Sequence, residues 1–147
     1  MTEVIYFDTS ALAKWYLNEE KSQDVEQYIQ EHGPVAISDL TVIEMRCLLA
    51  RRRREGSIDL KMESRIFATF QEDIRQNFLI CHPFPEGLTA AAVNLISVHL
   101  ELPLRTLDAL HLVIAREMQA DKLATANRVM IVAAKAMGLS VVRFDSR

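Results

Sequence analysis

Short apolar runs alternate along this chain with longer stretches whose apolar residues recur at helical spacing. Val4-Ile5-Tyr6-Phe7 leads straight into Asp8, Thr9 and Ser10 and reads as a first strand. Ser10 to Leu17 reads as a short helix and Lys21 to His32 as a second, with Val25, Tyr28 and Ile29 on one face before Gly33-Pro34 ends it. Val35 to Ile37 is a short buried strand, and Ser38 to Arg54 a long helix carrying Val42, Ile43, Met45, Leu48 and Leu49, closed by Gly56. Asp59 to Asn77 has helical period, with Met62, Ile66, Phe67, Phe70 and Ile74 tracing one face. Phe78 to Cys81 is a third strand, and Pro85 to Glu101 and Leu104 to Ala120 are helices parted at Pro103. Lys122 to Ala126 is a strand, Val129 to Met137 a helix stopped by Gly138, and Val141 to Phe144 a last strand.

Short apolar strands between longer helices predict an α/β fold, a short parallel sheet flanked by helices on both faces and joined by right-handed crossovers. At 147 residues, with no internal repeat or long linker, residues 1–147 form a single domain. Half of the residues are hydrophobic and a quarter charged, the balance of a soluble globular protein. The net charge of -3 gives no bulk signature of nucleic-acid binding. Cys47 and Cys81 lie far apart without metal-type spacing, so a reducing, cytoplasmic setting is expected. No run of about 18 apolar residues and no leader pattern is present, so neither membrane insertion nor export is expected.

The candidate chemistry lies at element boundaries. Asp8 ends an apolar strand, where open α/β sheets bind ligands, and an Asp there serves equally as a helix cap. Glu44 lies early in an apolar helix after the second strand, and Thr41-x-x-Glu44 also matches a capping box. Asp108, near the start of a nearly all-apolar helix, suits the helix dipole, but a buried charge there needs a partner. Asn127 follows the Leu123-Ala124-Thr125-Ala126 strand, as an N-cap, as a neutral oxygen in a site of carboxylates, or as both. A crossover fold brings all four to one sheet edge. Two carboxylates about 4 Å apart repel by roughly 4 kcal/mol at an effective dielectric near 20, so three together call for a cation or a raised pKa. All-oxygen ligation favours Mg²⁺ or Mn²⁺.

Tyr6-Phe7-Asp8-Thr9-Ser10-Ala11-Leu12, Ser38-Asp39-Leu40-Thr41-Val42-Ile43-Glu44, Leu107-Asp108-Ala109-Leu110-His111-Leu112 and Ala124-Thr125-Ala126-Asn127 resemble the successive motifs of PIN-domain nucleases. The nearest subgroup is the VapC-type toxins of toxin–antitoxin pairs, and the resemblance covers essentially the whole chain. It implies a PIN-like fold and divalent-metal-dependent endonuclease activity on RNA, with Asp8, Glu44 and Asp108 as metal ligands and Thr9 or Ser10 supporting the first acid. It also implies a cognate antitoxin and a homodimer. One departure stands out: the fourth motif usually carries an acid where this chain has Asn127. A site short of one negative charge suits one tightly held metal better than two, with Asn127 in an auxiliary role.

Other features invite a functional reading. Arg51-Arg52-Arg53-Arg54 is a charged helix end by default and an RNA or partner contact otherwise. His111, one turn after Asp108, is a satisfied core histidine or a group facing the site. Two alternatives stand beside the nuclease. One is a catalytically impaired PIN-derived module that binds RNA or protein, motivated by Asn127. The other is a haloacid-dehalogenase-type phosphohydrolase with Asp8 as nucleophile, although Ser10 stands where that family has a second Asp.

Overall fold

In a computed structural model, described for residues 3–146, every expected element is present, with ends that move by at most three residues. The order is β1 (Ile5–Phe7), α1 (Thr9–Tyr16), α2 (Ser22–His32), β2 (Val35–Ser38), α3 (Asp39–Arg54), α4 (Leu60–Arg75), β3 (Leu79–His82), α5 (Leu88–Val98), α6 (Thr106–Glu117), β4 (Lys122–Thr125), α7 (Arg128–Ala136) and β5 (Ser140–Arg143). The five strands form one sheet in the order β3-β2-β1-β4-β5, and every pairing is parallel. The chain fills one side of β1 first and the other side later. Its topological switch point therefore lies beside β1, and the crevice for a ligand lies at the carboxyl ends of β1 and β4.

Strand alternation sorts the core into two layers. Ile5 and Phe7 pack with Leu12 of α1, Val25 and Ile29 of α2, Met45 of α3 and Phe70 of α4. Tyr6, on the opposite face, packs with Leu95 of α5, Leu112 and Val113 of α6 and Met130 of α7. A strand buried on both faces has no polar side to alternate with, which is why these strands read as continuous apolar runs. Each large apolar side chain fully buried here contributes roughly 1.5–3 kcal/mol. No helix among the described residues is long and apolar enough to cross a membrane.

Local chemistry accounts for the shifted ends. α5 starts at Leu88 rather than Pro85 because Gly87 precedes it with φ +76, a left-handed conformation that breaks the helical path. α6 starts at Thr106 because the Asp108 carboxylate accepts the backbone N–H of Arg105 at 3.0 Å. At the start of α3 the reciprocal box joins Ser38 and Thr41, the Ser38 N–H donating to Thr41 Oγ1 at 3.2 Å. The expected Thr41–Glu44 box does not form, and Glu44 is left for other partners. α4 differs in its face: Met62 is exposed, whereas Glu63 is buried beside Ile66 and Phe70.

Candidate active site

Asp8 occupies the first position after the central strand. Its N–H donates to the Ala124 carbonyl at 3.1 Å, carrying the β1–β4 ladder one residue past β1. Its side chain is both cap and site acid. Oδ1 accepts from the Ala11 N–H at 3.0 Å and the Ser10 hydroxyl at 2.7 Å, and Oδ2 accepts from the Thr125 hydroxyl at 2.5 Å. Burial pushes the carboxyl up, and the charge His111 can carry, with the bonds from Thr125, Ser10 and Ala11, offsets this only in part.

Thr125 joins this acid to the fourth motif. Its Oγ1 accepts the Asn127 N–H at 3.0 Å while donating to Asp8. Asn127 caps α7, its Oδ1 accepting from the N–H groups of Val129 at 2.9 Å and Met130 at 3.3 Å. Its Nδ2 donates to Asp108 Oδ1 at 3.4 Å. The side chain therefore turns its amide nitrogen toward the acids and spends its oxygen on the helix, the reverse of the neutral oxygen donor expected from sequence. Asp108 is 9% exposed and uses its other oxygen to start α6.

Glu44 approaches from α3. Its Oε1 accepts from the Thr9 hydroxyl at 2.7 Å and meets His111 Nε2 in a short contact, while Oε2 accepts no hydrogen bond among the described residues. Burial raises the Glu44 carboxyl, but the His111 hydrogen bond and charge, with the Thr9 bond, leave it below the usual carboxylate range. His111 is 4% exposed and takes both of its sequence readings, a satisfied core histidine and a group touching the site. Its Nδ1 lies 2.6 Å from the Tyr6 hydroxyl.

Asp8, Glu44, Asp108 and Asn127 thus lie at one sheet edge in two hydrogen-bonded sets, Asp8–Thr125–Asn127–Asp108 and Thr9–Glu44–His111, with Thr9 next to Asp8 in the chain. Their carboxylates are not drawn around a single point: among the described residues, no three His, Cys, Asp or Glu side chains are grouped closely enough to hold one ion. Each acid lies against protein donors. Sequence reasoning overlooked Thr125 and Tyr6. The hydroxyl two residues before Asn127 was a usable signal for the first; the second lay inside an apolar run that gives no sign of a polar role.

The arginine run is largely engaged within the chain. Arg52 pairs with Glu19 at 3.1 Å, Arg53 with Glu63, and Arg51 with Glu55 at 4.0 Å, so three of the four already face acids of this chain.

A parallel α/β sheet with acids gathered at its switch point defines a class of site built on carboxylates. The PIN domain model matches residues 5–136, and the chain belongs to the PIN domain family. That membership sets aside the phosphohydrolase alternative. The fold is similar to VapC20 from Mycobacterium tuberculosis, described as a sarcin-ricin loop cleaving toxin, at 17% identity and TM-score 0.68, covering 88% of this chain and 94% of that one. It is similar to FitAcB from Neisseria gonorrhoeae at 18% identity and TM-score 0.69, covering 94% of this chain and 96% of the other. It is similar to DNA-bound VapBC from Salmonella typhimurium at 14% identity and TM-score 0.70, covering 98% and 99%. No curated protein matches the sequence significantly.

Proposed function

We propose that the protein is a divalent-metal-dependent endoribonuclease, a VapC-type toxin that cleaves RNA phosphodiesters by hydrolysis. The observation that carries this reading is the meeting of Asp8, Glu44, Asp108 and Asn127 at the switch point, on elements far apart in sequence. The donor set suits Mg²⁺ or Mn²⁺, since all three acids offer hard oxygens. Each carboxylate oxygen has two lone pairs; among the described residues Glu44 Oε2 accepts from no donor, and each Asp108 oxygen accepts from one. Asp8, Glu44 and Asp108 are the residues that would hold the ion. When bound, such an ion lowers the pKa of water and neutralises charge on the phosphoryl oxygens.

The chain's own residues prepare that chemistry. Ser10, Ala11 and Thr125 fix the plane of the Asp8 carboxylate before anything binds. Asn127 holds Asp108 and adds no charge. RNA is the substrate this reading implies. A cognate antitoxin, homodimerisation and a cytoplasmic setting belong to the same reading, and the two free cysteines accord with that setting.

A second reading, a PIN-derived binding module without catalysis, draws on the Asn127 amide facing Asp108 where the family usually has an acid. Incubating structured RNA with Mn²⁺ and either the wild-type protein or Asp8→Ala separates the two. Metal-dependent cleavage that falls to background in the variant supports the enzyme. Identical products from the two proteins would leave the binding module standing.

A further inference from the structure

We propose that Tyr6 and His111 are positioning residues that aim the Glu44 carboxylate, a role that rests on the nuclease reading. Tyr6 sits in the middle of β1 and is fully buried, yet its hydroxyl lies in a polar chain: 2.9 Å from Ser38 Oγ and 2.6 Å from His111 Nδ1. His111 crosses from α6 to Glu44 on α3 through Nε2. Residues from four elements, β2, β1, α6 and α3, thus meet in one run, Ser38–Tyr6–His111–Glu44. A tyrosine hydroxyl, a serine hydroxyl and an imidazole buried in an apolar layer each carry a desolvation cost that only their mutual bonds offset. Leucine and phenylalanine would fill the same layer without that cost.

The run has a direction. A bare Nε2 lone pair would face the lone pairs of the carboxylate, so Nε2 carries the proton that faces Glu44, whether the ring is neutral or charged. Tyr6 fixes the ring by holding its other nitrogen. The Thr9 hydroxyl approaches the same oxygen, Oε1, at 2.7 Å. Both donors therefore grip one oxygen and leave Oε2, on a side chain 20% exposed, for the site. Ring tilt matches this arrangement, the Tyr6 and His111 rings lying 5.7 Å apart at 50° and meeting at their polar edges.

Three substitutions in the full chain test the relay. Tyr6→Phe removes one hydroxyl from a buried ring. His111→Gln places an amide nitrogen where Nε2 stood, and His111→Asn places one where Nδ1 stood. Mn²⁺ affinity by calorimetry is expected to fall about 10-fold or more in Tyr6→Phe and His111→Asn, the range seen when partners of metal ligands are removed. His111→Gln is expected to stay nearer to the wild type. For RNA cleavage, kcat is expected to fall in Tyr6→Phe and His111→Asn with KM unchanged. Nitrogen-15 spectra of labelled histidine in the metal-free protein are expected to show Nε2 protonated, with its signal moving in Glu44→Gln.

An unprotonated Nε2, or wild-type Mn²⁺ affinity in both Tyr6→Phe and His111→Asn, would overturn the relay. The nitrogen-15 measurement needs neither metal nor RNA. It therefore judges the relay even if the wild-type protein binds no Mn²⁺ and cuts nothing, the result that defeats the nuclease reading instead.

Discussion

The amide of Asn127 spends its oxygen on the first turn of α7 and turns its nitrogen to Asp108, so this residue sets how much negative charge the site carries. An aspartate keeps the capping role, because Asp and Asn cap helices about equally well. It cannot keep the donor: Asn127→Asp replaces an N–H facing Asp108 by a second carboxylate. Two carboxylates about 4 Å apart repel by roughly 4 kcal/mol at an effective dielectric near 20. The substitution is therefore expected to lower the melting temperature of the metal-free protein and to strengthen Mn²⁺ binding, with saturating Mn²⁺ reversing the loss. Calorimetry giving the wild-type Mn²⁺ affinity would count against the account of Asn127 as the residue that limits charge. That these four residues share one sheet edge was legible in the sequence, because Asp8 and Asn127 follow strands while Glu44 and Asp108 lie early in helices that start at that edge. Which atom of Asn127 faces the acids was not, because capping consumes the oxygen only once α7 and β4 are oriented.

At the scale of elements, α3 and α4 form a hairpin held by one apolar cluster and one buried acid. Leu49 is fully buried with Leu17 and Ile66. Glu63 faces the same hairpin, its carboxylate paired with Arg46 at 2.9 Å and with Arg53, while Arg46 lies over the Phe67 ring at 5.4 Å. The two arginines hold the Glu63 carboxyl below its usual range, against the effect of burial. Leu49→Ala is expected to cost about 2–5 kcal/mol in urea unfolding, the usual range for a leucine removed from a packed core. Glu63→Ala should also destabilise, since it strands two arginines, whereas Glu63→Met refills the volume and should retain more stability. Equal losses in the two Glu63 variants would show that the refilled volume does not matter at this site and that loss of the charge alone sets the cost. Helical period located α4 correctly but chose the wrong edge of its face, because Met62 is apolar and Glu63 is not. The arginines that make a buried glutamate tolerable come from another helix, which period cannot see.

Across the whole molecule, the parallel sheet and its two helical layers followed from short apolar strands set between longer helices, and the shared edge for Asp8, Glu44, Asp108 and Asn127 followed from crossover topology. The strand order did not, since it depends on which side of β1 each crossover takes. The segment after β5 is fastened by one acid that sequence reasoning gave no role. Asp145 is gripped by Arg143 through Nε at 3.0 Å and Nη2 at 2.8 Å, with Arg128 Nε 3.7 Å away. Neighbouring Ser146 donates to Glu20 at 2.9 Å, joining the segment after β5 to the segment between α1 and α2. The Arg143 hydrogen bonds, opposed by burial and helped by the two positive charges, hold the Asp145 carboxyl down at about 2. A carboxyl lowered by folding binds its proton more readily in the unfolded chain. Its stabilising effect is therefore complete above the unfolded pKa of about 4 and is lost as pH falls through the folded value. Wild-type protein is accordingly expected to exceed Asp145→Asn in stability by a constant margin from pH 7 to about 5, and by a shrinking one from about 4 towards 2. Urea titrations of both proteins across that range read the margin directly, and one that stays constant down to pH 2 would mean that the Arg143–Asp145 pair does not fasten the end of the sheet.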